Sequence, residues 1–104
     1  MEFISTRGKD GPISFETALL NGLARDGGLY LPVSWPRFNL DEIRQMRDLS
    51  YSALAGLIMS RFTDGEIDQV EMTSLALQSY ADFTHPDVAP LRPLAEKIHI
   101  LELF

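Results

Sequence analysis

The strongest constraint on how this chain can fold lies between Ser50 and Phe62. There Tyr51, Leu54, Ala55, Ile58, Met59 and Phe62 fall at i, i+3, i+4, i+7, i+8 and i+11, an unbroken apolar stripe with the period of an α-helix. A stripe of this kind needs something to pack against, so the chain must fold as helices gathered around it. The nearest candidate lies just downstream, where Thr63-Asp64-Gly65-Glu66 reads as a capping box that opens a helix running to about Tyr80. On that helix Ile67, Val70, Leu77 and Ala81 mark one face, and Met72, Leu75 and Ala76 mark a second. Two apolar faces predict burial between neighbours.

Upstream, Glu2 to Ser5 reads as a short strand ended by the turn Gly8-Lys9-Asp10-Gly11-Pro12. Ser14 can cap a helix with Phe15, Ala18, Leu19, Gly22 and Leu23 at helical spacing, Glu16 in its first turn, and Arg25 with Gly27-Gly28 as its stop. Leu29-Tyr30-Leu31 predicts a second short strand, and Pro32 and Pro36 keep the following segment extended, with Trp35 as the plug that packs it onto the helices. Asn39-Leu40-Asp41-Glu42 is a capping box with Asn as the cap, and the helix it opens should turn Leu40, Ile43 and Met46 or Arg47 inward or to its edge. Beyond Phe83, the prolines at 86, 90 and 93 break helices, and Ile98 to Phe104 reads as an apolar strand. That strand is expected in a parallel sheet whose other strands lie outside this chain, and an apolar strand as terminus suggests a protein that continues past Phe104.

Size and charge narrow the classes. At 104 residues the chain falls short of the roughly 150 residues of a typical domain, so it holds at most one small core. Nine basic against 15 acidic residues give a net charge of −6, which argues against nucleic acid and anionic membrane as partners. The longest uncharged run, Leu49 to Ser60, has 12 residues, short of the roughly 20 that span a bilayer. The absence of cysteine removes disulfides, thiolate nucleophiles and Cys-held metals. With no secretory address at the N-terminus, the expected location is the cytoplasm.

Local chemistry is sparse. His85 and His99 lack a second ligand at metal spacing, so no metal is expected, and no Gly-x-Ser-x-Gly elbow or Walker-type phosphate loop is present. Asp64, Glu66, Asp68 and Glu71 cluster at a helix start, where they favour the dipole and face water. Two segments stay open. Arg25-Asp26-Gly27-Gly28 fits either a helix C-cap or a backbone nest for an anion, and Ser5-Thr6-Arg7 fits either a solvated strand end or two hydroxyls and a guanidinium offered to a phosphate or carboxylate.

Taken in order, Ile4-Ser5-Thr6-Arg7-Gly8, Gly22-Leu23-Ala24, Asp26-Gly27-Gly28-Leu29-Tyr30 with Pro32, and Trp35-Pro36 resemble the N-terminal region of the threonine synthase family. Tyr80-Ala81-Asp82-Phe83, Val88-Ala89-Pro90-Leu91 and Leu101-Glu102-Leu103-Phe104 resemble the approach to that family's cofactor lysine. Arg25 stands where many relatives carry Pro. The resemblance implies a pyridoxal-phosphate enzyme similar in fold to the tryptophan-synthase β group, converting O-phosphohomoserine and water to threonine and phosphate. In that family the text continues with His-Gly-Pro-Thr and a Phe-Lys-Asp whose lysine holds the cofactor, beyond Phe104. Lys9 and Lys97, the only lysines, lie outside any such motif, so no catalytic or cofactor-binding residue is expected in this chain and no cofactor bound by it alone.

The resulting expectation is an α+β, mostly α chain: an N-terminal domain over 1–82, with four helices and a small strand pair, then a linker and first strand of an α/β catalytic domain over 83–104. Its partner would be the catalytic domains of its own longer chain. Ser5, Thr6, Arg7, Asp26, Gly27 and Gly28 are the candidates for shaping the substrate entrance. The competing reading is an independent helical interaction module, built on the stripe from Tyr51 to Phe62 and the two-faced helix after it.

Overall fold

A computed structural model describes residues 1–103. The first strand, β1 (Phe3–Ser5), pairs antiparallel with β2 (Tyr30–Pro32) in the register Phe3↔Pro32, Ile4↔Leu31 and Ser5↔Tyr30. Phe3 also exchanges backbone hydrogen bonds with Ile13 at 2.9 Å in each direction, which folds the turn after β1 back onto it. Helix α1 (Phe15–Asn21) starts as expected, with Ser14 Oγ accepting from the Thr17 N–H at 3.2 Å. It ends sooner. Gly22, at φ 69°, sends its N–H back to the Ala18 carbonyl, so the helix stops one turn before Arg25 and Gly27-Gly28, which belong to a separate turn.

Helix α2 (Leu40–Gln45) has the predicted capping box: Asn39 Oδ1 accepts from the Asp41 and Glu42 N–H groups at 2.9 Å each, and the Asn39 N–H donates to Glu42 at 2.8 Å. Its apolar residues, Leu40 and Ile43, are exposed rather than inward, and a 3-10 turn over Met46–Asp48 follows. Helix α3 (Tyr51–Thr63) is capped by Ser50, whose Oγ accepts from the Ala53 N–H at 3.3 Å.

The pairing of α3 with α4 (Gln69–Tyr80) is the centre of the molecule, and it uses a different face from the apolar stripe. The buried residues of α3 are Ser52, Gly56 and Thr63, while Tyr51 and Met59 are exposed. Gly56 explains why. A Cβ there would lie 2.7 Å from the Cα of Thr73 on α4, so the two backbones cross nearly in contact and only small residues fit between them. The apolar side chains flank this seam instead of filling it. On α4 the face with Met72 and Ala76 is buried, whereas Val70 and Leu77 stand 80% and 57% exposed.

Thr63-Asp64-Gly65-Glu66 does not open α4. Asp64 and Gly65 take positive φ values of 52° and 86° and end α3, the Thr63 hydroxyl donates to the Ile67 carbonyl at 2.7 Å, and Asp68 caps α4 by accepting from the Glu71 N–H at 2.8 Å. Glu66 reaches across the chain, and its carboxylate accepts from the Phe15 and Glu16 N–H groups at 3.2 and 3.0 Å, pinning the start of α1. Trp35 meets Phe62 edge-on at 6.0 Å but stays 63% exposed, so it touches the helices without plugging them, and Tyr51, Tyr80 and Phe83 form a second edge-to-face chain across the ends of α3 and α4.

The last elements are β3 (Leu91–Ala95) and β4 (Ile98–Leu101), paired antiparallel with a register shift between Pro93 and Ala95. The sequence missed β3 because Pro90 and Pro93 read as breakers. Strand β4 therefore has an antiparallel neighbour of its own, a correction to the expectation that all its partners lie outside the chain. Every residue of both strands is exposed. The described residues form a mostly helical body, with four α-helices and short antiparallel strands, as the fold class predicted.

Candidate functional site

The six residues singled out in the sequence meet in one place, because the β1–β2 register sets the end of β1 beside the turn that precedes β2. Asp26 is the hub. Its Oδ1 accepts from the Ser5 hydroxyl at 2.6 Å and from the Gly28 N–H at 2.9 Å, and its Oδ2 accepts from the Lys9 N–H at 3.1 Å. Ser5 Oγ in turn accepts from the Arg7 N–H at 3.1 Å. Thr6 and Leu29 bond twice: the Thr6 N–H donates to the Leu29 carbonyl at 2.8 Å, and Thr6 Oγ1 accepts from the Leu29 N–H at 3.0 Å. The Arg7 guanidinium closes the knot, donating through Nη1 to the Asp26 carbonyl at 2.8 Å and lying over Gly27.

Close approach dictates the glycine at 28. A Cβ there would stand 2.1 Å from Ser5 Oγ, 2.9 Å from Thr6 Oγ1 and 3.0 Å from Asp26 Oδ1, so any side chain would expel the hydroxyls that hold the turn. The Gly27 N–H donates to the Ala24 carbonyl at 2.8 Å, and the Gly28 N–H is taken by Asp26. These amides are therefore spent inside the turn, and it is neither the helix cap nor the open anion nest that the sequence allowed. Ser5 is buried at 3% exposure, so this strand end is not simply solvated either. What the knot offers outward is the Thr6 and Arg7 side chains, both on exposed residues.

A second carboxylate, which the sequence marked only as part of a turn, ties the same region together. Asp10 Oδ2 accepts from the Arg25 N–H at 2.8 Å and from the Tyr30 hydroxyl at 2.7 Å, its Oδ1 accepts from the Gly11 N–H at 3.1 Å, and the Arg25 Nε lies 3.5 Å away. The Tyr30 hydroxyl is the main reason its carboxyl sits below the ordinary value, helped by the N–H groups of Arg25 and Gly11 and the Arg25 charge, against partial desolvation. Asp26 is lowered in the same way, chiefly by the Ser5 hydroxyl, then by the Gly28 and Lys9 N–H groups and the nearby Arg7 charge, again against desolvation. The Tyr30 phenol is raised in return, since its proton is held by Asp10. No local sequence signal pairs Asp10 with Tyr30; they meet because the Ser5 N–H holds the Asp10 carbonyl at 2.8 Å while Ser5 pairs with Tyr30 across the strands.

Neither lysine suits a covalent cofactor. Lys9 and Lys97 are exposed, one in the turn after β1 and the other between β3 and β4. Neither lines any of three clefts on the surface: one of about 600 Å³ is lined by Gln69, Val70, Thr73, Ser74 and Leu77, one of about 410 Å³ by Phe15, Glu16, Leu19, Glu66 and Ile67, and an apolar one of about 300 Å³ by residues including Met59, Phe62 and Met72. Neither lysine stands beside these three clefts, and no chemical step is assigned to residues of this chain. Among the described residues no group of three or more His, Asp or Glu side chains is placed to hold a metal.

A polar knot joins the end of β1 to the turn before β2, beside a small helical body with much apolar surface left open. A family model described as "Threonine synthase N terminus" matches residues 2–80. The chain belongs to the threonine synthase family. It is 44% identical over 104 residues to a threonine synthase of Pseudomonas aeruginosa, covering all of this chain and 22% of the relative, and 38% identical over 105 residues to one of Schizosaccharomyces pombe, covering 20% of it. A crystal structure of threonine synthase from Brucella melitensis with PLP bound superposes with a TM-score of 0.89 at 41% identity, over all of this chain and 22% of that one. The Escherichia coli threonine synthase superposes with a TM-score of 0.81 at 30% identity, again over all of this chain and 23% of that one. This chain thus spans about a fifth of the length of the relatives it matches.

Proposed function

We propose that this chain is the N-terminal domain of a pyridoxal-phosphate-dependent threonine synthase, a lyase that converts O-phospho-L-homoserine and water to L-threonine and phosphate in threonine biosynthesis. The observation that carries this reading is the superposition of the whole chain on the start of a PLP-bound threonine synthase. The cofactor lysine and the substrate-binding groups would lie in the remainder of the protein, and residues 1–104 alone would be inactive. Among the described residues no helix is long and apolar enough to cross a membrane, and a cytoplasmic location is part of the proposal.

The division at residue 82 is part of the same proposal. The aromatic chain from Tyr51 to Phe83 closes the helical body, and β3 and β4 beyond it are exposed throughout. The helical body would pack on the catalytic domains. The knot of Ser5, Thr6, Arg7, Asp26, Gly27 and Gly28 would edge the entrance to the substrate site, a role supported by the exposure of Arg7, whose guanidinium is a group suited to a phosphate-bearing substrate. The test is phosphate release from O-phosphohomoserine by the purified full-length protein with its cofactor. Turnover that vanishes when residues 1–82 are removed is expected; a full-length protein with no such turnover would overturn the reading, and a partner captured by the helical face of an inactive protein would favour the interaction module.

A further inference from the structure

The chain has two asparagines, Asn21 and Asn39, and the fold treats them oppositely. Asn39 is locked: its Oδ1 accepts from the Asp41 and Glu42 N–H groups, its own N–H donates to the Glu42 carboxylate, and the bulky Leu40 follows it. Asn21 is the last residue of α1, a helix of seven residues, and Gly22 follows it. Both are exposed, and beyond its chain neighbours nothing lies within 4 Å of where a Gly22 side chain would begin. The Gly22 N–H is held by a single bond to the Ala18 carbonyl at 3.1 Å. A helix this short draws little stability from its own turns, so its last bond opens readily and frees that amide.

We propose that Asn21 is a site of spontaneous covalent modification, in which the Gly22 backbone nitrogen attacks the Asn21 side-chain amide and the residue is converted to aspartate and isoaspartate, loosening the nearby knot. The Gly22 nitrogen gives its proton to water and its electron pair forms a bond to Asn21 Cγ; the Cγ–Nδ2 bond breaks, and the amide nitrogen takes up a proton and leaves as ammonia. Water then opens the resulting cyclic imide. Attack at Cγ restores the main chain with a carboxylate on residue 21, and attack at the Asn21 backbone carbonyl leaves the chain running through the side-chain carbon. Attack within one chain needs no encounter between separate molecules, and with no Cβ on residue 22 nothing crowds the ring. Asp10, Asp26 and Asp64 also precede glycine, but a carboxylate is a poorer electrophile than an amide, and its ring closure and reopening leave the mass unchanged.

Both products reach the knot. The Asn21 side chain donates toward the Tyr30 hydroxyl, whose proton Asp10 holds. A carboxylate in its place has no donor to offer and adds negative charge to the Asp10–Tyr30 pair. The isoaspartate also lengthens the backbone just before Leu23 and Ala24, which are tied to the Gly28 turn by the Leu23↔Leu29 bridge and by the Ala24 N–H bond to the Gly28 carbonyl at 3.0 Å.

The test is peptide mapping by mass spectrometry of the full-length, cofactor-loaded protein during incubation in mildly alkaline buffer. The peptide carrying Asn21 should gain the mass of an amide-to-acid change, divided between separable aspartate and isoaspartate forms, at least about tenfold faster than the peptide carrying Asn39. A smaller ratio overturns the proposal, and so does an Asn21 that stays unmodified because the remainder of the protein covers it. The melting temperature should fall as the modified fraction grows. Asn21→Gln, whose longer side chain closes the ring far more slowly, should show neither change, whereas Asn21→Asp should have the lowered melting temperature from the start. Modification that leaves the melting temperature unmoved, or a fall that Asn21→Gln shares, overturns the link to the knot. None of these readouts uses turnover, so phosphate release decides the proposed activity separately.

Discussion

Gly28 shows how much one residue settles in this fold. Its missing side chain lets the Ser5 and Thr6 hydroxyls and the Asp26 carboxylate converge on one turn. Gly28→Ala should cost about 1–3 kcal/mol, the range for forcing extra volume into a tight site, read as a lower urea midpoint. Asp26 and Asp10 add a pH dependence whose sign follows from their lowered values. A carboxylate held below its ordinary value in the fold contributes stability that is complete above about pH 4 and is lost as pH falls through the folded-state value. Acid should therefore weaken this chain, and Asp26→Asn should lower stability at neutral pH while making the acid decline shallower, measured by unfolding midpoints across about pH 2.5 to 6. Arg7 is the outward member of the knot. In the full-length enzyme Arg7→Ala should raise KM for O-phosphohomoserine with a smaller change in kcat, and unchanged values of both would remove it from any substrate role. The six knot residues were legible as two neighbouring motifs, but their contact was not, because nothing local says that Ser5 pairs across to Tyr30.

At the scale of elements, caps were the readable part and faces were not. Ser14 and Asn39 cap the helices that the sequence assigned to them, since a cap is decided within one turn of chain. The α3–α4 seam is decided by a crossing 17 residues apart, and there Gly56 outweighs the six-residue apolar stripe by permitting backbone contact. Thr63 to Glu66 misled for a related reason: the same residues that could begin a helix also suit ending one, and Asp64 and Gly65 in left-handed conformations decide for the end. Gly56→Ala places a methyl within 2.7 Å of the Thr73 Cα, which a rotamer change cannot relieve. It should destabilise the chain by about 1–3 kcal/mol through separation of the two helices. Adding Thr73→Ala should recover only part of the loss, because the backbone clash remains; full recovery by that second change would place the strain in the Thr73 side chain instead. Thermal unfolding of the single and double variants separates the two.

Seen whole, the molecule is a small seam of buried residues carrying a large open apolar surface: Leu20 and Val70 are about four-fifths exposed, and the hairpin has apolar side chains on both faces. Surface of that extent on a chain this small is what a domain looks like when its neighbours are elsewhere. The hairpin contributes much of it, since every residue of its two strands is exposed. With Phe83, whose ring packs on Tyr80, kept in both proteins, residues 1–83 should therefore unfold with the same cooperativity and nearly the same midpoint whether 84–104 are attached or removed. Removal should also lower dye binding to exposed apolar surface and reduce self-association in sedimentation. A large loss of stability on removal would show instead that the hairpin supports the helical body, and the boundary at residue 82 would have to move toward the end of the chain.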